Sequence, residues 1–365
     1  MKRVVLVGAG HAHAQVLKDW ITHRPAGAEL WVVSPHALAP YSGMVPGWLA
    51  GHYRYEDICI DFVALAAAAG ARWVADELVA LDPDRHHLAL GSGRTLDYDL
   101  LSLNVGSTLT PPDATAPVLA LRPLGELHAR WEAALDTLLC QAAVRPVTIT
   151  AIGGGAAGFE ALLAARHRVI QMQPRSTVHT VLVSAGVDLL PGLAPGATRH
   201  ARRTLAKLEA TVELGKRHDS AQHTDSDLLL WATGAEAHGW QRTSGLGVSE
   251  SGWIRIDRQL RSISHPDVYA TGDCAAWAQP LPKAGVFAVR MGPVLSHNLQ
   301  AAISGQAPSD YTPQRRVLSL LATGNRRAIA SWGAWSAEGA WVWRWKDHID
   351  RRFIKRFEMP PLKTP

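Results

Sequence analysis

The sequence predicts an α/β fold of two parallel-sheet units, the second inserted in the first, followed by a C-terminal segment of different character. Three observations predict it. A short apolar strand, a glycine-rich turn and a helix follow one another at residues 3–17 and again at residues 146–163. A further short strand ending in Gly-Asp, within Asp267–Ala275, comes after the second unit. Beyond about Pro308 the chain becomes aromatic and basic.

The bulk numbers allow this and narrow the alternatives. A chain of 365 residues has room for two or three packed units. With 47% apolar and 19% charged residues, a large buried core is expected. No run of 18 apolar residues occurs, so no transmembrane helix is predicted. The first strand begins at Lys2, which leaves no space for a signal peptide, and a cytoplasmic location is the default expectation. Cys59, Cys140 and Cys274 lie far apart in sequence. That spacing argues against a disulfide framework, excludes a dithiol of sequence neighbours, and offers no metal site. The net charge of +5 is mild and no nucleic-acid recognition motif accompanies it, so nucleic acid is not an expected partner.

The first unit opens with Arg3–Val7, a β-branched apolar run suited to a buried parallel strand. Gly8-Ala9-Gly10 follows, and His11–Leu17 reads as a helix. Glycines let the backbone turn tightly and let a pyrophosphate come close, while the helix N-terminus offers free N–H groups and a positive dipole end. His13 stands where the third glycine of a G-x-G-x-x-G would be. The next strand, Glu29–Val33, ends in Ser34-Pro35, without the acid that often grips a ribose.

The second unit repeats the pattern in full. The strand Pro146–Ile152 leads into Gly153-Gly154-Gly155-Ala156-Ala157-Gly158, a complete G-x-G-x-x-G, and Phe159–Leu163 starts a helix. The strand Thr177–Val183 again ends in a serine, Ser184. No acid or arginine there selects between NADH and NADPH. Two such units are two Rossmann-like dinucleotide-binding domains, and two dinucleotides in one chain allow hydride to pass from a nicotinamide to a bound redox ring.

Three supporting segments end in glycine turns. Asp99–Ser107 is an apolar strand closing at Gly106, and Asp227–Trp231 with Ala232-Thr233-Gly234 is its counterpart. In Asp267–Ala275 the carboxylate of Asp273 can accept hydrogen bonds from a ribityl hydroxyl or cap a helix, and Cys274 reads as a small buried residue. Lys283, in Pro282–Val286, precedes a long amphipathic helix, Phe287–Gly305, whose N-terminus could stabilise a reduced ring.

This ordered set resembles the pyridine nucleotide–disulfide oxidoreductase superfamily of flavoproteins with two dinucleotide-binding domains. Within it the chain is similar to the type II NADH dehydrogenase and sulfide:quinone oxidoreductase branch. Gly10-His11-Ala12-His13, Pro40–Gly47 and Pro282–Arg290 also resemble flavoproteins fused to, or encoded beside, selenophosphate synthetase. The resemblance implies an FAD-binding domain of residues 1–125 and 245–307, an NAD(P)H-binding domain of residues 126–244, and a C-terminal interface or membrane-surface segment of residues 308–365. It implies that Gly8, Gly10, Ala12 and His13 cradle the FAD pyrophosphate, with Ser34 and Pro35 near the adenosine ribose and Leu78 meeting adenine through its backbone. Gly106 would line the channel, Asp273 would bind the ribityl and pyrophosphate region, and Lys283, Ala284 and Gly285 would sit by the ring, with Lys283 tuning it. Tyr41–Pro46, including Ser42, Gly43 and Met44, would form a loop over the ring. Gly153, Gly155, Ala157, Gly158, Glu160, Ser184 and Gly234 would serve NADH or NADPH. The dithiol of the disulfide reductases is absent, and Cys59 and Cys140 lack the context of sulfide oxidation, so the dithiol-free NADH dehydrogenase type fits best.

In the C-terminal segment, Trp341, Trp345, Ile349, Phe353 and Phe357 recur at i, i+4 spacing, with Arg344, Lys346, Arg351, Arg352, Lys355 and Arg356 between them and Asp347 and Asp350 tempering the charge. The pattern suits an interfacial membrane helix that would bring a flavin to a quinone, placing the protein peripherally at the inner membrane face. It equally suits a helix packed on the chain's own core or on a homodimer partner. The expected activity is FAD-dependent transfer of hydride from NAD(P)H and onward electron transfer to an acceptor such as a quinone. Two other readings stay open on the residues alone: an FAD-dependent oxidase or dehydrogenase of a small substrate with a vestigial nicotinamide domain, and a non-catalytic flavin-binding regulatory module.

Overall fold

Each glycine turn sits at the end of the central strand of its own five-stranded parallel sheet. The computed structural model describes residues 1–111, 116–217 and 225–359. In chain order the elements that matter here begin with β1 (Lys2–Val7), α1 (His11–Thr22), β2 (Ala28–Val33), α2 (Val45–Leu49), β3 (Arg72–Val74) and β4 (Leu100–Leu103). The inserted unit follows with β5 (Val118–Ala120), β6 (Val147–Ile152), α3 (Ala156–Met172), β7 (Val178–Ser184), α4 (Pro195–Lys207), β8 (Thr211–Leu214) and β9 (Leu228–Trp231). The chain then returns to the first sheet through β10 (Val268–Ala270) and α5 (Gly285–Ser304).

The first sheet has the order β10-β4-β1-β2-β3 and the second the order β5-β9-β6-β7-β8, with every pairing parallel. In both, the chain leaves the central strand to one side and comes back on the other. The crevice at this switch of direction is where open α/β sheets bind ligands. Burial on both faces explains the largely apolar strands: Val4, Val5 and Leu6 of β1 and Val147, Ile149 and Ala151 of β6 are all fully buried. Each such Val, Leu or Ile contributes roughly 1.5–3 kcal/mol relative to exposure.

The C-terminal segment is an antiparallel meander, β11 (Ser319–Ala322), β12 (Ala328–Trp332) and β13 (Trp335–Gly339), followed by α6 (Ala340–Lys355). The meander packs on α4 and α3 of the second unit, while the far end of α6 reaches the first: Arg356 bonds Gln15 of α1 at 2.7 Å and the Lys18 ammonium lies 5.6 Å from the Phe357 ring centroid. The single aromatic stripe expected along this helix is not one face. Trp341, Trp345 and Ile349 are exposed, whereas Phe353 and Phe357 are buried. A four-residue step advances about 400° around a helix, so each step drifts by about 40° and four steps carry the stripe from solvent into the core. The buried face is instead Val342, Trp343, Lys346, Asp350, Phe353 and Ile354. Lys346 and Asp350, read from sequence among the residues setting the helix's surface charge, are thus interior.

Candidate functional site

The two turns share one construction. Gly8 has φ +98°, and a Cβ there would lie 2.5 Å from the Asn104 carbonyl oxygen at the end of β4. Gly153 has φ +128°, and a Cβ there would lie 2.3 Å from the Ala232 carbonyl oxygen after β9. Only glycine suits both the backbone conformation and the neighbouring strand end. In each unit a helix N-terminus then faces the crevice.

At the first turn Asn104 is the tie. Its Oδ1 accepts from the Ala12 N–H at 3.1 Å and its Nδ2 donates to the Thr271 carbonyl at 2.8 Å, joining α1, β4 and the Gly-Asp turn. His13 serves this packing with its side chain and does not reach the mouth of the turn. Its Nδ1 lies 2.7 Å from the Gly8 carbonyl and its Nε2 2.9 Å from the Ser102 hydroxyl. A carbonyl only accepts, so Nδ1 carries the proton and Nε2 accepts from Ser102. Burial holds His13 neutral, with its pKa lowered to about 4. The His11 ring, by contrast, faces Tyr41 and Phe353 at centroid distances of 5.4 and 5.8 Å, and its buried Nε2 has no hydrogen-bond partner among the described residues.

The sheet order divides the remaining first-unit candidates into two groups. Ser34 and Pro35 follow β2, and Leu78 follows β3, on one side of the first turn. The Ser34 hydroxyl bonds within its own turn, 3.3 Å from the His36 carbonyl. On the other side Gly106, Asp273, Lys283, Ala284 and Gly285 converge. A Cβ on Gly106 would meet nothing within 4 Å among the described residues. Ser107 donates to Asp273 at 3.2 Å. A Cβ on Gly285 would come within 2.5 Å of the Ser42 hydroxyl, so the Tyr41–Pro46 segment, a turn that passes into α2 at Val45, lies against the start of α5. Met44 is buried, and the Gly43 carbonyl accepts from Lys346. Lys283 turns away from this loop: its ammonium donates to the Ala275 carbonyl at 2.6 Å and lies 3.9 Å from the Trp253 ring centroid. A cavity of about 340 Å³ opens there, lined by Asp273, Lys283, Trp253, Trp277, Phe287 and Met291 among others.

Sequence reasoning missed Arg122. Its guanidinium contacts both Asp273 and Ser107, and it donates to the Lys283 carbonyl at 3.3 Å. The available signal was a single cation directly after the apolar run Val118–Leu121. These features fit a bound dinucleotide on this structure's own terms: an orphaned buried His11 Nε2, open space over Gly106, and a charged and hydroxylic set at Arg122, Asp273 and Ser107.

Cys274 is excluded as a nucleophile. It is fully buried, bonds the Thr271 and Leu103 carbonyls at 3.2 and 3.4 Å, and burial pushes its thiol up to about 11. Iodoacetamide at mildly alkaline pH should label exposed Cys140 and spare Cys274 and buried Cys59 in the folded protein. Peptide mass spectrometry checks this, and prompt labelling of Cys274 would contradict it.

At the second turn the helix end is open. Ala156 and Ala157 are exposed, and among the described residues no side chain caps α3 and a Cβ on Gly155 would meet nothing within 4 Å. Gly158 serves packing, since a Cβ would sit 2.1 Å from the Gly153 carbonyl oxygen. Gly234 is exposed, with no atom of the described residues within 4 Å of its Cβ position. The Ser184 hydroxyl accepts from the Gly186 N–H at 3.2 Å within its own turn. Glu160 is engaged by the C-terminal segment. Its Oε1 accepts from the Ala322 N–H at 2.6 Å, and burial raises its pKa to about 7 against the pull of the nearby Lys346 ammonium.

Residues 2–292 match the pyridine nucleotide-disulphide oxidoreductase family. The chain is 22% identical over 300 residues to ferroptosis suppressor protein 1 of Taeniopygia guttata, covering 76% of this chain and 75% of that protein; matches to the Xenopus proteins of the same name span half of their length. It is 26% identical over 151 residues to the type II NADH:quinone oxidoreductase of Haemophilus influenzae, covering 36% of this chain and 34% of that one. The fold is shared with the sulfide:quinone oxidoreductase of Aquifex aeolicus, with a TM-score of 0.79 at 15% identity over 98% of this chain and 91% of the other. The paired glycine turns and the extent of the family match lead to one assignment: the chain belongs to the pyridine nucleotide-disulphide oxidoreductase family, and is an oxidoreductase that uses FAD and NAD(P)H.

Proposed function

We propose that the chain takes hydride from NAD(P)H at the second turn, holds FAD along the first, and passes the electrons to a quinone at a membrane surface. The observation that carries this reading is the pair of glycine-opened helix N-termini on two separate parallel sheets of one chain, the second with Ala156 and Ala157 open to solvent. Bound FAD supplies the two-electron chemistry, and the protein supplies position and charge. The Gly155 end of α3 offers N–H donors and a positive dipole to a pyrophosphate, which favours a working nicotinamide domain over a vestigial one.

The acceptor reading draws on the names of the Haemophilus and Aquifex proteins and on the C-terminal surface. Trp332, Trp335, Trp341, Trp345 and Ile349 are 36–51% exposed, and Arg344, Arg351, Arg352 and Lys355 on α6 are exposed as well. Aromatic groups beside cations suit an anionic bilayer interface. No helix among the described residues is long and apolar enough to cross a membrane.

Anaerobic addition of NADH or NADPH to the yellow protein should bleach the flavin absorbance, and a soluble quinone should restore it. Anionic vesicles carrying a long-chain quinone should be used faster by this chain than by one with serine at Trp332, Trp335, Trp341 and Trp345. Bleaching no faster than that of free FAD in buffer would defeat the hydride-donor claim, and equal use of vesicles by both chains would defeat the membrane claim.

A further inference from the structure

The C-terminal helix reaches into the first unit with a buried ion pair that the proposed reaction does not use. Lys346 and Asp350 are each 5% exposed, and the Lys346 ammonium bonds the Asp350 carboxylate at 2.6 Å. One helical turn separates them, so both project from the same face. The ammonium also bonds the carbonyl of Gly43, and burial together with the nearby Asp350 carboxylate pushes the Tyr41 hydroxyl's pKa up. Tyr41 is packed between helix and turn, 4.4 Å from the Phe353 ring centroid and 5.4 Å from that of His11. A third contact lies further along the same stretch, where the Tyr53 hydroxyl donates to Asp347 at 2.6 Å. Three acid or base side chains of one helix therefore engage residues 41–53, at the loop that lies against Gly285 and the start of α5.

A buried ion pair is a weak source of stability, because desolvation offsets most of the Coulomb attraction. Its value here is directional. An ammonium with three donors and a carboxylate with two acceptor oxygens can each fix a partner while neutralising the other. The backbone carbonyl of Gly43 is the ammonium's second partner, and Asp350 holds and neutralises that ammonium. Glycine at 43 lets the loop fold back on itself, since a Cβ would come within 2.8 Å of the Tyr41 ring.

We propose that Lys346 and Asp350 are positioning residues of the flavin site, latching the Tyr41–Pro46 segment through the bond of Lys346 to the Gly43 carbonyl, with Asp350 holding the ammonium in place, so that the C-terminal helix becomes part of the cofactor's enclosure. The proposal rests on the reading of the first turn as the FAD site. It gives the segment an inward task besides any membrane contact of its outer face. The outward tryptophans and the inward ion pair lie on different sides of α6, so the two tasks can be altered separately.

The test compares the full chain with Lys346→Met, Lys346→Arg and the double change Lys346→Met/Asp350→Leu, which removes both charges and so leaves no unpaired Asp350 carboxylate. Amide hydrogen exchange of residues 41–50 is measured with and without added FAD, together with the FAD dissociation constant. The expected result is about tenfold faster exchange of residues 41–50 in both Met-containing chains, matching the loss of charge-assisted hydrogen bonds. Strands 2–7 and 147–152 should keep their protection, FAD should bind about tenfold more weakly, and arginine should restore most of both effects. Unchanged exchange of residues 41–50 overturns the latch. Faster exchange with undiminished FAD affinity overturns its role at the flavin. A wild-type chain that binds no FAD defeats the functional reading instead, while the exchange data still decide the latch.

Discussion

A Gly155→Asp chain will keep its FAD and its melting temperature while its KM for NADH or NADPH rises about 100-fold. Gly155 is the N-cap of α3 with φ −80°, a conformation open to any residue, and its Cβ position is clear to 4 Å. Aspartate is a good N-cap, so the helix itself should gain or hold stability. The same carboxylate occupies the N–H groups that a pyrophosphate needs and repels its charge at close range. Loss of two charge-assisted hydrogen bonds accounts for about 3 kcal/mol of binding, hence the hundredfold effect. Steady-state kinetics, flavin content and thermal melting check the three parts. An unaltered KM would mean that the nucleotide does not use this helix end. The contrast is Gly158→Ala, two residues inside the helix, where the added methyl would collide with the Gly153 backbone and lower stability.

Gly10→Ala acts in the opposite way, on the fold of the first turn. The new Cβ would stand 1.9 Å from Asn104 Oδ1 and 2.6 Å from the Asn104 carbonyl oxygen. Asn104 cannot swing aside cheaply, because Oδ1 caps Ala12 and Nδ2 holds Thr271. Overpacking and a broken buried hydrogen bond together should cost about 2–4 kcal/mol. A fall in Tm of roughly 3–5 °C and a protein purified without colour are expected. The double change Gly10→Ala/Asn104→Ala removes the side-chain part of the collision and leaves the backbone part, so its destabilisation should be smaller than the sum of the single ones. Strict additivity, or a Gly10→Ala protein that stays yellow with its Tm intact, would show that the turn tolerates a side chain and that the crevice is not as tight as drawn.

The residues that sequence could assign are those whose role depends on neighbours in the chain. A β-branched strand, a turn needing positive φ and a helix start are local properties, which is why both units were legible and why the inserted order could be read from the motifs. Cys274 as a small buried residue was legible for the same reason. The helical character of residues 341–357 was legible, but its phase was not, because an i, i+4 count ignores the drift of the stripe around the helix. His13 looked like a phosphate contact because it stands in the glycine's place, and only its bonds to Gly8 and Ser102 turn it inward.

From its own order of residues this protein is an α/β chain with two glycine-opened nucleotide turns and an amphipathic tail. Tertiary structure alone decided which polar groups meet. Asn104 joins Thr271 across 167 residues, Arg122 meets Asp273 across 151, and Lys346 reaches Gly43 across 303. A charged side chain can be buried only where a partner from elsewhere neutralises it and accepts its hydrogen bonds. That condition is a property of the folded surface around the residue, so neither Lys346 nor Asp350 carries a mark of it in the local sequence.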